Sequence, residues 1–417
     1  MDLELLTIGD ELLLGFTLDT NGPYLARRLA EIGVRVVRRS ATGDAAEDIT
    51  RAVAEGLERT GAVITTGGLG PTADDLTKPA IAALFGRSMY LDQQLVQWLE
   101  ERFRDLGYKG GMPRPNLQQA MIPEGARVLH NRHGSAPGIW LEDERGRWVA
   151  MLPGVPREMR GMTEDTLLPI LRERVGEASE TLLSRTLRTT GIGESALAER
   201  LGELARDVDG LSVAYLPGWE GADLRLTVRA VRAEGERIIG AAVQRLRERA
   251  EPYVYGGDGT DLAAIVIDLC RVKRLTIATA ESCTGGMLGG RITAVPGSSE
   301  VFLGGIVAYD NAVKTRLLGV DPGLIEQHGA VSEEVATAMA AGGRERLGAD
   351  IGIAITGVAG PGGGTAEKPV GTVWTAVHFP WGARALGRRY VGDREEIRMR
   401  ACQTALDMVR RGVTEGA

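Results

Sequence analysis

The run Ile277-Ala278-Thr279-Ala280-Glu281-Ser282-Cys283-Thr284-Gly285-Gly286 passes from apolar residues into small and hydroxylated ones. This order predicts a strand, a tight turn and a helix, with the Ser282 hydroxyl beside helix N–H groups that can take a phosphate or an oxyanion. A serine is a weak nucleophile at its free pKa and needs a base. His328 and His378 lie outside the glycine-rich turns, so the base candidate is Lys314, in the first turn of a helix that follows the strand ending at Tyr309. A desolvated lysine has a lowered pKa and can deprotonate a serine, with the Tyr309 hydroxyl relaying or orienting the proton. A third turn, Thr356-Gly357-Val358-Ala359-Gly360-Pro361, also follows an apolar run. Thr284, Gly285, Gly286, Thr356 and Gly357 are thus candidates to bind substrate. Ser282 fits equally as a helix cap, Lys314 as a solvated helix charge, and Cys283 competes as nucleophile because a thiolate at a helix N-terminus outreacts serine.

A second constellation lies near the other end, in Thr65-Thr66-Gly67-Gly68-Leu69-Gly70-Pro71-Thr72-Ala73-Asp74-Asp75. Gly67, Gly68, Gly70 and Thr72 can cradle a phosphate through backbone N–H groups. Asp10, Glu11, Asp44, Asp74 and Asp75 are candidates to hold a divalent cation that neutralises it. The loop lacks both GK[ST] and GxGxxG, which disfavours an ordinary ATPase or dehydrogenase. Acids are also favoured at helix starts by the dipole alone, and Asp74 fits that reading best.

These turns need strands behind them. Leu3–Ile8, Val34–Arg39 and Ala62–Thr66 read as strands, and Thr20–Ile32 and Ala45–Arg59 as helices, a βαβαβ order that predicts a parallel sheet with ligands beyond its carboxyl ends. Residues 107–154 are rich in Gly and Pro and read as loops and hairpins, with short strands Gly138–Leu141 and Trp148–Leu152, before a helix over Arg157–Glu173. A βαββα unit follows: strand Thr181–Thr190, helix Glu194–Arg206, strands Ser212–Leu216 and Leu224–Arg232, and helix Glu236–Arg249. Glu251–Leu262 reads as linker. The remainder predicts another α/β domain, with strands at Leu275–Ala280, Phe302–Tyr309, Ile351–Thr356 and Gly371–Phe379 and a last helix at Glu395–Gly412. The fold class is therefore α/β: two parallel-sheet domains, 1–170 and 253–417, joined by a small α+β domain, 171–252.

Composition narrows the classes. At 417 residues the chain is too long for one small binding module, and 49 Lys+Arg against 56 Asp+Glu gives a net charge of −7, without the basic footprint of a nucleic-acid binder. The N-terminus carries acids where a signal peptide needs bases, and no apolar run reaches the ~18 residues of a membrane span, so a cytoplasmic protein with no membrane partner is expected. Three cysteines without a CxxC pair argue against a disulfide framework or a zinc site. Only five basic residues are lysines, Lys78, Lys109, Lys273, Lys314 and Lys368, so a retained lysine points to a need for an amine that can lose its proton.

The ordered segments ESCTGG (281–286), VAYDNAVK (307–314), ITGVAGPGGGT (355–365), KPVGTVW (368–374) and GDREEIR (392–398) resemble the CinA C-terminal domain, the PncC-type nicotinamide mononucleotide deamidases. That resemblance implies hydrolysis of nicotinamide mononucleotide to nicotinic acid mononucleotide and ammonia without a cofactor. It implies Ser282 as nucleophile, Tyr309 and Lys314 as its activating partners, Thr356 as a substrate or oxyanion contact, and Arg394 or Arg398 against substrate. TIGDELL (7–13), NGPYLARRL (21–29), TGGLGPTADD (66–75), GSAPG (134–138) and LPGVPREM (152–159) resemble the CinA N-terminal domain, similar to MoaB/MogA-type molybdopterin-binding folds. The resemblance there implies an ADP-ribose pyrophosphatase, assisted by a divalent metal ion and releasing AMP and ribose 5-phosphate.

The middle unit, with GIGES at 191–195, resembles a KH-like module. Residues 171–252 hold 13 Arg and no Lys against 14 acids, about neutral, and the GIGE turn has no basic residue to clamp a nucleic-acid backbone, which favours an interface or spacer. The family resemblance also suggests a homodimer. Two rival readings are a molybdopterin-type binding protein, which leaves ESCTGG and Lys314 unexplained, and a non-catalytic competence or DNA-repair partner, against which the intact Ser282, Tyr309 and Lys314 argue.

Overall fold

A computed structural model of the chain describes residues 1–105, 107–176, 180–206 and 210–416. Its packing separates two units, Met1–Leu183 with Arg229–Glu236, and Ser184–Val228 with Arg237–Ala417.

In the first unit, Leu3 and Leu5 face one apolar layer while Leu6 and Ile8 face another, as the two-residue period of a strand requires. Layers on both faces bury Ala62–Thr66 and Trp148–Leu152 along their whole lengths. The six-stranded sheet runs Arg35–Thr42, Asp2–Ile8, Ala62–Thr66, Trp148–Leu152, Gly138–Glu142, Arg127–Leu129. The first four are parallel and the last two antiparallel, so the expected parallel sheet is mixed. Register aligns Thr7 with Thr66 and Thr66 with Leu152, bringing the turns at Gly9, Gly67 and Pro153 to one edge. Residues 107–154, read as loops and hairpins, also hold a 3-10 helix at Arg114–Ala120 and a strand at Met121–Pro123, which pairs antiparallel with Met89–Leu91. The expected helix over Arg157–Glu173 is three consecutive pieces, Pro156–Met162, a π-helical turn Thr163–Leu167, and Leu168–Val175.

A four-stranded sheet orders Leu211–Pro217, Ala222–Val231, Glu180–Thr189 and Val254–Gly256. The last strand lies inside the segment read as linker and pairs antiparallel with Glu180–Thr189, which makes that reading wrong. Helices Glu194–Leu201 and Arg232–Ala250 accompany it.

The C-terminal sheet runs Phe302–Val307, Ile277–Glu281, Ile351–Gly357, Thr372–Phe379, Gly382–Arg389, with three parallel strands followed by two antiparallel ones. Ile351, Ile353 and Ile355 pack on one face with Val266 of helix Leu262–Lys273 and Leu406 of helix Arg394–Glu415, while Ala354 faces helix Glu333–Leu347. That second face is small-residued so that the helix can lie close: a Cβ on Gly352 would sit 2.0 Å from the Ala340 carbonyl oxygen. Glu281 is level with Val307 on one side and Ile355 on the other, so Ser282, Ala308 and Thr356 leave the sheet side by side.

Candidate functional site

Ser282 is the first residue past a strand buried on both faces, and its own N–H donates to the Ile355 carbonyl (2.9 Å). The next turn reverses through Gly285 and Gly286, both at positive φ (60° and 94°), a conformation that other residues rarely adopt. The buried Glu281 carboxylate folds back over this turn and accepts from the N–H groups of Gly286 (3.1 Å), Leu288 (3.0 Å) and Gly289 (2.8 Å). The first amides of helix Met287–Thr293 are thus occupied by the protein's own anion, and the Gly285 N–H donates to the Ser282 carbonyl. The expectation that Gly285 and Gly286 cradle substrate through their amides is corrected accordingly.

Lys314 lies on helix Asn311–Leu318, capped by the Asp310 carboxylate, and is buried to 1% exposure. Its Nζ donates to the Tyr309 carbonyl (3.2 Å). Burial pulls its pKa below the ordinary lysine value, opposed by Asp310 and Cys283. Tyr309 is exposed, and its hydroxyl accepts from the Arg394 guanidinium (3.0 Å), which also donates to the Gly360 carbonyl (2.5 Å). Arg398 donates to the Thr284 carbonyl (2.6 Å), and its Nε is buried without a partner, as is the Thr284 hydroxyl. The two arginines left open by spacing therefore do different things: Arg394 reaches Tyr309 and the third turn, and Arg398 braces the turn of Ser282. Thr356 donates its hydroxyl to the Ala330 carbonyl (2.7 Å), and Gly357 allows close strand packing, since a Cβ there would meet the Thr372 carbonyl oxygen at 2.8 Å. Cys283 is buried and its thiol is pushed up to about 12, so the neutral, unreactive form prevails at neutral pH.

At the first sheet's edge, Gly9, Gly67, Gly68, Gly70 and Gly154 help to line a cavity of about 470 Å³. Glu11, Asp44, Asp74, Asp75 and Glu158 also line it, and among the described residues no Lys, Arg or His does. Gly67 takes φ 115°, and a Cβ on it would lie 2.2 Å from the Ile8 carbonyl oxygen, so only glycine lets the two strand ends approach. Asp75 turns inward on its own loop, accepting from the Gly70 N–H (2.7 Å), the Thr72 N–H (2.8 Å) and the Thr72 hydroxyl, which makes it a loop brace. Asp10 and Asp44 exchange backbone-to-carboxylate bonds at 3.0 and 3.3 Å, and Asp10 does not line the cavity. Desolvation, together with the charges of Asp10, Glu11 and Asp74, raises the Asp44 pKa. Among the described residues no group of three or more His, Cys, Asp or Glu side chains could hold a metal by itself. A hard cation bound by one or two carboxylates and completed by substrate phosphate oxygens fits this donor set; a cage built by the protein alone does not.

Three family profiles cover the chain in order: the probable molybdopterin binding domain (residues 4–173), the damage-inducible protein CinA KH domain (184–256) and the CinA C-terminal domain (259–413). A CinA-like protein of Gemmatimonas aurantiaca is 58% identical over 418 residues, covering 100% of this chain and 97% of that protein. This chain belongs to the CinA family. A CinA-like protein of Dictyoglomus thermophilum is 42% identical over 414 residues, covering 99% of each. The crystal structure of a competence/damage inducible protein, CihA, from Agrobacterium tumefaciens matches 37% of this chain and 94% of its own at 41% identity, with a TM-score of 0.36.

Two side chains at the candidate sites of this CinA-family chain escaped the sequence reading. Glu281 carried a signal, an acid directly before a helix start, but the recipient amides lie beyond a reversing turn. Glu158 lines the N-terminal cavity and accepts from Asn131 (2.6 Å), and a Cβ on Gly134 would collide with its carboxylate carbon at 1.9 Å. The GSAPG segment is therefore shaped around Glu158. No helix is long and apolar enough to cross a membrane among the described residues.

Proposed function

We propose that the chain is a bifunctional hydrolase of pyridine nucleotides, acting on nicotinamide mononucleotide at Ser282 and on ADP-ribose at the N-terminal cavity. The observation that carries the first activity is the buried Lys314, held with a lowered pKa on the helix that leaves the sheet next to Ser282. In this reading the Ser282 hydroxyl attacks the carboxamide carbon while its proton passes to the neutral Lys314 amine. Collapse of the adduct returns the proton to the departing ammonia, and water, deprotonated by the same amine, releases the acid. Arg394 holds the Tyr309 hydroxyl at the site and so orients the proton path. The neutral Cys283 thiol supports serine over cysteine as nucleophile.

For the second activity, the five acids and absent cations of the N-terminal cavity support a site that meets a diphosphate through a divalent ion. One or two of Glu11, Asp44 and Asp74 would hold it, with substrate phosphate oxygens completing its shell, and such an ion supplies charge neutralisation and an activated water. The backbone of Gly67–Gly70 shapes the floor, and Asp75 keeps that loop closed. The partners that follow are nicotinamide mononucleotide and ADP-ribose, with a homodimer as the assembly proposed from the family.

The deciding experiment is ammonia release from nicotinamide mononucleotide by the intact chain and by Ser282→Ala. Release by the intact chain and a loss of about 10³-fold or more in the variant is expected. No release by the intact chain would overturn the deamidase reading.

A further inference from the structure

Within the second unit, a hollow of about 290 Å³ opens between the Gly191–Gly193 turn, the Gly218–Gly221 turn and helix Arg394–Glu415. It belongs to neither site above. Its wall contains Gln403, buried to 2% exposure. The Gln403 Oε1 accepts from the Arg291 guanidinium (2.7 Å), and because a guanidinium only donates, the amide cannot be reversed. Its Nε2 must then face away from Arg291, and it is buried with no partner. Arg400 lines the same hollow with its own Nε buried and unpartnered, and Arg388 adds a second guanidinium.

The wall therefore offers donors and lacks what they should bind. Of its two carboxylates, Glu220 is engaged by Arg188 and by Arg291 (3.2 Å), and Glu194 is exposed at the start of its helix. A buried donor left unsatisfied is destabilising, a cost that a ligand rich in acceptors removes. Trp219 and Tyr390 supply aromatic surface to the same wall, and the volume is near the lower end for a small-molecule site.

We propose that this hollow is a binding site for a mononucleotide, its phosphate received by Arg388, Arg400 and the Gln403 amide and its base lying against the aromatic wall. The glycine turn that a nucleic-acid-binding module would present to a strand is here one side of a small-molecule pocket. The site stands or falls independently of both hydrolytic readings, because it is tested by binding alone.

The experiment is calorimetric titration of the full chain, with divalent cations chelated so that the N-terminal cavity cannot take AMP as its own product, using AMP, inorganic phosphate and a short single-stranded RNA. Gln403→Glu keeps the oxygen that Arg291 needs and replaces the donor by an acceptor; Arg400→Gln is the second variant, should the first fail to fold. We expect one AMP site per chain that is weakened by about tenfold or more in either variant and retained in Ser282→Ala. An AMP stoichiometry and affinity unchanged in the folded variants would overturn the proposal. So would inorganic phosphate binding as tightly as AMP, or RNA binding where AMP does not.

Discussion

The N-terminal cavity and the C-terminal serine turn stand on the same scaffold, three parallel strands whose ends come level and pass into glycine-bearing turns. Their charge is arranged in opposite ways. Among the described residues, five acids and no basic side chain line the first. The second holds one buried carboxylate, fully engaged by its own turn, and surrounds the serine turn with Lys314, Arg394 and Arg398. The comparison teaches that this strand-edge geometry fixes where a ligand sits, while the side chains decide whether the protein or an added cation supplies the positive charge.

The contrast can be broken most sharply by chelation. Removing divalent cations should take ADP-ribose cleavage to background while ammonia release from nicotinamide mononucleotide changes by less than about twofold; equal loss of both would erase the distinction. Next in size, Lys314→Met should lower ammonia release by roughly 10²–10⁴-fold, measured as initial rate, with ADP-ribose cleavage unaffected. The pH profile sharpens this. Because burial lowers the Lys314 pKa, the active neutral amine is reached below the ordinary value of 10.5, so the rate should rise with pH through an inflexion under that value and flatten above it. A smaller effect is expected for Arg394→Gln, about tenfold on ammonia release, rescued in part by Lys if charge rather than the planar fork matters. Smallest is Cys283→Ala, within about twofold in rate, since a thiol pushed up to about 12 supplies no thiolate near neutrality.

Much of the scaffold was legible because its strands are short, mostly apolar runs buried on both faces, as in Ala62–Thr66 and Ile277–Glu281, and such runs leave few alternatives. Gly382–Arg389 was not, because it is an edge strand exposed along most of its length and shows no alternation. Val254–Gly256 was missed because three residues carry no period and it is defined only by its partner. The candidate site divides in the same way. Ser282, Lys314 and the Gly67–Gly70 loop announce themselves by type and position, whereas the separate tasks of Arg394 and Arg398 depend on which carbonyl each reaches. Asp75 looked like a ligand because an exposed acid and a loop brace have the same sequence; only its three bonds to Gly70 and Thr72 distinguish them.

On the proposed deamidase reading, the Glu281 carboxylate, locked onto three amides beside Ser282, has a consequence for turnover. Hydrolysis of a carboxamide converts a neutral group into an anion. A turn whose amides were free would hold that new carboxylate and slow the next cycle, whereas here a resident negative charge already fills the place. In that reading the turn has little hold on the product, and affinity for what is made is lower so that it leaves.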